Sequence, residues 1–127
     1  MHIAHIAIWS EDPERLRDFY QQYFGAKAGE KYHNPLKQFR SYFLFFSEGC
    51  SIEVMYKPGL KTHPEGGSSY GYTHLALSAG SCSEVDRLTE TLRADGFRIV
   101  GEPRTTGDGF YESVVVDPDG NLIEITE

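Results

Sequence analysis

Thr73-His74-Leu75-Ala76-Leu77 restates, midway along the chain, what Ala4-His5-Ile6-Ala7-Ile8 says at its start: a histidine set into an apolar run of strand character. About fifty residues after each copy, a second short strand carries a carboxylate, Ile52-Glu53-Val54 after the first and Ile123-Glu124-Ile125 after the second. Two histidines and two glutamates recurring at nearly one offset in two halves are the signature of a single site built from a duplicated module.

Strand geometry says where these side chains point. A period of two sends the apolar flanks (Ala4 and Ile6, Ile52 and Val54, Leu75 with Thr73, Ile123 and Ile125) to a helix-covered face. It sends His5, Glu53, His74 and Glu124 to the opposite, concave face. Their neighbours there, Ala7, Ser51, Met55, Ala76, Leu122 and Thr126, are small or soft and leave room for a ligand. A lone strand histidine is more often an ordinary hydrogen-bonded residue, and a lone strand glutamate a solvated one. The joint pattern differs, because a carboxylate enclosed in a cup must be neutralised by a proton, a cation or a metal. Two neutral imidazoles and two carboxylates balance one divalent cation. His2, His33 and His63 have no counterpart in the other half and read as terminal or loop residues.

The segments between these strands complete each module. Asp12-Pro13 opens a helix with an N-cap acceptor and a proline at the first helical position, and Glu14 lies near the positive end of its dipole. Leu16, Phe19, Tyr20, Tyr23 and Phe24 form its apolar stripe and Gly25 ends it. Residues 41–46 and 51–56 pair as a hairpin across Glu48-Gly49, and the polar segment 27–31 is expected to supply the missing strand of a βαβββ module. Pro58-Gly59, Pro64, Gly66-Gly67-Ser68-Ser69 and Gly71 mark a linker over about residues 58–71, between a module of about 1–57 and one of about 72–127. In the second module Ser81-Cys82-Ser83-Glu84 reads as a reciprocal capping box. Val85, Leu88, Thr89 and Leu92 form the buried stripe, and Asp95-Gly96 stops the helix. Strands follow over residues 97–100, 111–116 and 122–126. Asp117-Pro118-Asp119-Gly120-Asn121 is a turn explained by its proline and glycine.

Composition sets outer limits. At 127 residues the chain suits one domain with a real core, and the fold class expected is α+β, two paired βαβββ modules forming a cup. A net charge of -7 argues against nucleic acid and anionic membranes as partners, and points to a small-molecule substrate. No apolar run approaches the roughly 18–20 residues of a membrane span, and nothing resembles a signal peptide. A cytoplasmic protein is expected. Cys50 and Cys82 lack CxxC spacing and are read as reduced and structural or incidental.

The paired H-x-A-[IL] and [IL]-E-[VI] strands, Phe24-Gly25, Gly71-Tyr72-Thr73-His74 and the Asp117 to Asn121 turn together resemble the vicinal oxygen chelate superfamily, most closely its glyoxalase I-like members. The resemblance covers essentially the whole chain, as one domain. It implies paired modules around one divalent metal per chain, often shared between the subunits of a homodimer. Carried over, the metal ligands are His5, Glu53, His74 and Glu124, with Glu124 as the principal catalytic base and Glu53 as its partner. The ion is expected to be six-coordinate, with two exchangeable waters, and to be nickel, cobalt or zinc; the lack of long insertions looks more like the nickel- or cobalt-using form. The activity implied is that of a lyase or isomerase acting through an enediolate on a hemithioacetal, a thiol adduct, or on a related α-hydroxycarbonyl.

One position departs from the resemblance: Trp9 stands where arginine is frequent, so charge for a substrate carboxylate would come from Lys37, Arg40 or Arg104. Related activities are separated by their ligand sets. Extradiol dioxygenases use two histidines and one carboxylate, and fosfomycin-type thiol transferases use three ligands. Acyl-thioester epimerases also form an enolate beside a metal, whereas bleomycin-resistance proteins bind their ligand without a metal or catalysis.

Overall fold

A computed structural model of the chain describes residues 1–61 and 70–127, so His63 and the middle of the expected linker lie outside the described residues. The fold is the expected α+β class, with two helices and two sheets. The chain divides into two compact units, Met1–His63 and Pro64–Glu127. No helix among the described residues is long and apolar enough to cross a membrane.

The first unit runs β1 (His5–Trp9), α1 (Pro13–Phe24), β2 (Lys27–Ala28), β3 (Tyr32–Asn34), β4 (Phe39–Phe45) and β5 (Ser51–Tyr56). Its sheet has the order β1-β5-β4-β2, with β3 also on β4, and only the β1–β5 pair is parallel. Helix α1 starts where the N-cap reading placed it: the Asp12 carboxylate accepts from the Arg15 amide, and Gly25 closes the helix at φ 65°. Leu16, Phe19 and Tyr20 are buried, as are Leu44, Ile52 and Val54 on the strands that α1 covers. Each such aliphatic side chain taken from water stabilises the unit by about 1.5–3 kcal/mol.

The segment expected to supply one strand supplies a shorter one and a neighbour. Lys27–Ala28 pairs with the end of β4, the Gly29 amide donates to the Phe43 carbonyl, and Tyr32–Asn34, read from sequence as loop, pairs with the start of β4. Together they are one interrupted edge strand. Solvent reaches Tyr32 and His33, so no apolar alternation marks the segment in the sequence, and its charges Glu30 and Lys31 suit an exposed edge.

Glu14, placed by the sequence near the helix dipole, anchors α1 to the sheet as well. Its carboxylate accepts from Lys31 Nζ at 2.7 Å, the Tyr42 hydroxyl at 3.1 Å and Arg40 Nε at 3.4 Å. Burial works against its charge, but the bonds from Lys31, its own backbone and Tyr42, with the charge of Arg40, hold the carboxyl down at about 2. Arg40 also stacks over Tyr56 at 4.1 Å. This residue, a candidate for binding a substrate carboxylate, is therefore engaged on the helix side of β4, one residue out of phase with the concave face.

The second unit is βαβββ: β6 (His74–Ser78), α2 (Cys82–Ala94), β7 (Ile99–Thr105), β8 (Tyr111–Val116) and β9 (Leu122–Thr126), with sheet order β6-β9-β8-β7 and β6 parallel to β9. Val85, Leu88, Thr89 and Leu92 are buried as the periodicity required. The capping box forms only by half. Ser81 Oγ accepts from the Glu84 amide at 3.3 Å, but the Glu84 carboxylate takes two bonds from Arg87, at 2.9 and 2.7 Å, across one turn of helix. β7 runs further than the sequence reading, through Gly101 and Pro103. Its place at the sheet edge tolerates both residues, and its register with β8 shifts on either side of Gly101.

The turn between β8 and β9 has a third determinant besides Pro118 and Gly120. Asp117 is 4% exposed, and its carboxylate accepts from the amides of Asp119 and Asn121, both at 2.9 Å, and from Asn121 Nδ2 at 2.8 Å. Burial pushes the carboxyl up while these bonds pull it down, with burial prevailing. Cys50 and Cys82 are both free, and the Cys82 thiol donates to Glu127.

Candidate functional site

The two units build the same pair of side chains in the same way. In the first, parallel pairing sets Ala7 opposite Glu53 and His5 opposite Ser51; in the second, Ala76 lies opposite Glu124 and His74 opposite Leu122. Residues in register across a parallel pair share a face, so histidine and glutamate project on the same side, two residues apart along neighbouring strands. The alanine facing each glutamate puts only a methyl group into the space, and the carboxylate leans over it toward the imidazole. His5 Nε2 lies 3.9 Å from Glu53 Oε2, and His74 Nε2 lies 3.5 Å from Glu124 Oε2. The carboxylates are the more enclosed members, with side chains 18% and 17% exposed against 45% and 39% for the imidazoles.

These distances are too long for good hydrogen bonds. Two donors bound at adjacent positions of one transition ion, each about 2.1 Å away, are about 3 Å apart, so each pair needs to close by less than about one ångström to share an ion. The donor set, one imidazole nitrogen and one carboxylate in each unit, suits a borderline divalent metal. Each unit supplies two ligands. Among the described residues, no three His, Cys, Asp or Glu side chains are gathered as a metal site.

The pairs have different surroundings. His5 meets Phe43 edge to face at 5.4 Å, and on the same strand Trp9 meets Phe39 at 6.3 Å with Lys57 Nζ 4.6 Å from its ring. In the second unit, His74, Ala76, Glu124 and Thr126 line an open cavity of about 410 Å³, together with Thr106, Asp108, Phe110 and Glu112.

Glu112 is the residue that sequence reasoning missed. It is 9% exposed, sits opposite Thr126 in the β8–β9 ladder, and has Arg104 at 3.7 Å, the one of the three candidate cations that reaches this wall. Burial pushes its carboxyl up, as do the charge of Glu124 and a hydrogen bond shared with it, while Arg104 pulls it down. Period two from Glu124's partner Val114 would have found it. The run Tyr111-Glu112-Ser113, polar on both faces, hides that phase, because Ser113 on the helix side is also buried and bonded to Thr89 at 2.7 Å.

A family model described as Glyoxalase/Bleomycin resistance protein/Dioxygenase superfamily matches residues 2–125. The chain belongs to this superfamily. It is 30% identical over 127 aligned residues to lactoylglutathione lyase GLX1 of Arabidopsis thaliana, covering 97% of this chain and 43% of that one. Glyoxalase I of Zea mays superposes with a TM-score of 0.80 at 25% identity, over 98% of this chain and 44% of the maize chain. The trypanothione-dependent glyoxalase I of Leishmania major superposes with a TM-score of 0.79 at 25% identity, over 100% of this chain and 86% of its own. This superfamily member thus spans less than half the length of the plant relatives it matches.

Proposed function

We propose that the chain is a metal-dependent, glyoxalase I-like lyase or isomerase whose His5, Glu53, His74 and Glu124 together hold one divalent ion per chain, nickel, cobalt or zinc. The observation that carries this reading is the repetition, at one register, of an imidazole and a carboxylate 3.9 and 3.5 Å apart in two units. Its likeness to lactoylglutathione lyase supports the reaction class. When bound, the ion polarises the substrate carbonyl and so acidifies the neighbouring C–H.

The remaining chemistry belongs to the side chains. In a hemithioacetal, the proton to be moved sits on the carbon bonded to sulfur, beside a ketone; returning it to the former ketone carbon gives an α-hydroxythioester. That is an isomerisation with no oxidant and no net proton. Glu124, held over Ala76 on the concave face, takes the proton from the first carbon, and Glu53, held over Ala7 in the other half of the ligand set, serves the second. Small-molecule thiol adducts, hydroxycarbonyls or acyl thioesters are the substrate class. Incubating metal-loaded protein with methylglyoxal and a panel of thiols in D₂O should give thioester product, with α-deuterium detectable by NMR. Neither exchange nor turnover with any thiol or acyl thioester would sink the enzymatic reading in favour of a ligand-binding one.

Each unit offers half a ligand set, so a homodimer in which His5 and Glu53 of one protomer complete the site with His74 and Glu124 of its partner is part of the proposal. Mixing inactive His5→Ala with inactive His74→Ala protein then places both defects in one site and leaves the other intact. Activity should return to about a quarter of the wild-type level, by random subunit exchange of an equal mixture. No recovery after verified exchange would assign the site to a single chain.

A further inference from the structure

We propose that the substrate carries a hydroxyl on the carbon beyond its chelating oxygens, where methylglyoxal has a methyl, and that Glu112 and Thr126 select it. This rests on the reaction class proposed above and adds the identity of the group that faces the wall of the second unit. The duplicated plan does not require an acid there. By register the counterpart of Glu112 is Ser41, which faces Met55 as Glu112 faces Thr126, and the first unit presents Phe43 beside its histidine. The second unit has Val114 in the place of Phe43 and, in the place of Ser41, a carboxylate on the wall of the cavity that also holds His74 and Glu124.

A methyl group pressed on this wall would strip water from a carboxyl without replacing its hydrogen bonds, whereas a hydroxyl would replace them. The wall also distinguishes a hydroxyl from an ammonium group. Arg104, 3.7 Å from Glu112, offsets one of the cavity's three carboxylates, Asp108 and Glu124 being the others, so the distinction rests on the hydrogen-bond pattern rather than on charge. Thr126 Oγ1 is buried with no hydrogen-bond partner among the described residues. Thr126 lines the same cavity, and for it to select the substrate its hydroxyl must turn into that space in another staggered χ1 well. One acceptor and one donor on neighbouring strands match a group that both donates and accepts; a hydroxyl does so and an ammonium does not.

Two hydroxamates that differ only at this carbon test the inference without turnover: acetohydroxamate ends in a methyl and glycolohydroxamate in a hydroxymethyl, and both chelate as the substrate would. Titration calorimetry on nickel-loaded protein should show glycolohydroxamate binding roughly tenfold or more tighter. Glu112→Val and the near-isosteric Thr126→Val should each bring the ratio toward one while leaving acetohydroxamate within about twofold, by loss of only the hydroxyl-specific bond. Equal affinities in the wild type, or a preference unchanged in both variants, would overturn the inference and leave the lyase reading standing. Binding of neither hydroxamate would remove the metal centre itself, and this inference with it.

Discussion

Glu124→Ala is expected to lower kcat/KM by on the order of 10³-fold or more, because on the proposed function it removes both a metal ligand and the group that moves the proton. General-base loss alone accounts for roughly 10²–10⁴-fold. Losing one carboxylate from the proposed four-ligand set would also weaken the hold on the ion proposed to acidify the C–H, so the two effects act on one step and do not simply multiply. Folding should be spared. The side chain stands opposite an alanine, and its removal takes from Glu112 both a like charge and the hydrogen bond they share, two effects that oppose each other. Steady-state kinetics together with a thermal melt of metal-free protein separates the two readouts: activity should fall to background with the metal-free Tm preserved. A variant retaining more than about a tenth of wild-type kcat/KM would place the base elsewhere.

Ile123→Ala, one residue away, should do the opposite. Ile123 is fully buried on the helix side of β9, beside the equally buried Val115 with which it pairs. Truncating a side chain in that position removes its transfer free energy and leaves a cavity, at a cost of about 2–5 kcal/mol. That is a large part of the stability of a domain this size. The urea midpoint should fall steeply, with m close to unchanged. Activity per folded molecule should stay within a few fold, because the strand still carries Glu124 on its other face. Neighbouring residues with exchanged phenotypes, one catalytic and one structural, are what strand alternation demands; a shared phenotype would contradict the assignment of faces.

What could be read from the sequence follows from which interactions are local. The His5 and His74 strands, the Glu53 and Glu124 strands and both helices were legible because each couples an apolar period to a cap or a stop within a few residues: Asp12 with Pro13, Ser81, Gly25, Gly96. That the histidine and glutamate strands of each half work together was legible because the module occurs twice; their parallel pairing, β1 with β5 and β6 with β9, joins strands more than forty residues apart and has no local signal. The interrupted edge strand β2–β3 was half-hidden, since an edge solvated on both faces carries no hydrophobic alternation. β7 outran its expected end because Gly101 and Pro103 terminate central strands but not edge strands. Glu84 failed to close its capping box because Arg87, three residues on, competes for the same carboxylate.

Of the proposed site, the two histidine–glutamate pairs were legible, each brought together within its own unit. Glu112 stayed hidden because its importance comes from a neighbour on another strand, not from its own surroundings in the chain. Arg40 was an open candidate for the cavity until Glu14 and Tyr56 were seen to hold it on the other side of the sheet. Asp117 likewise owes its burial to a turn whose proline and glycine already sufficed to predict it.

The central claim is that ligands from both units hold one ion, and metal content tests it without reference to any substrate. Protein loaded with nickel and dialysed against metal-free buffer should retain about one ion per chain by elemental analysis, as the four-donor set implies, and both His5→Ala and Glu124→Ala should lose it. Full retention in both variants, one altered in each unit, would contradict the account.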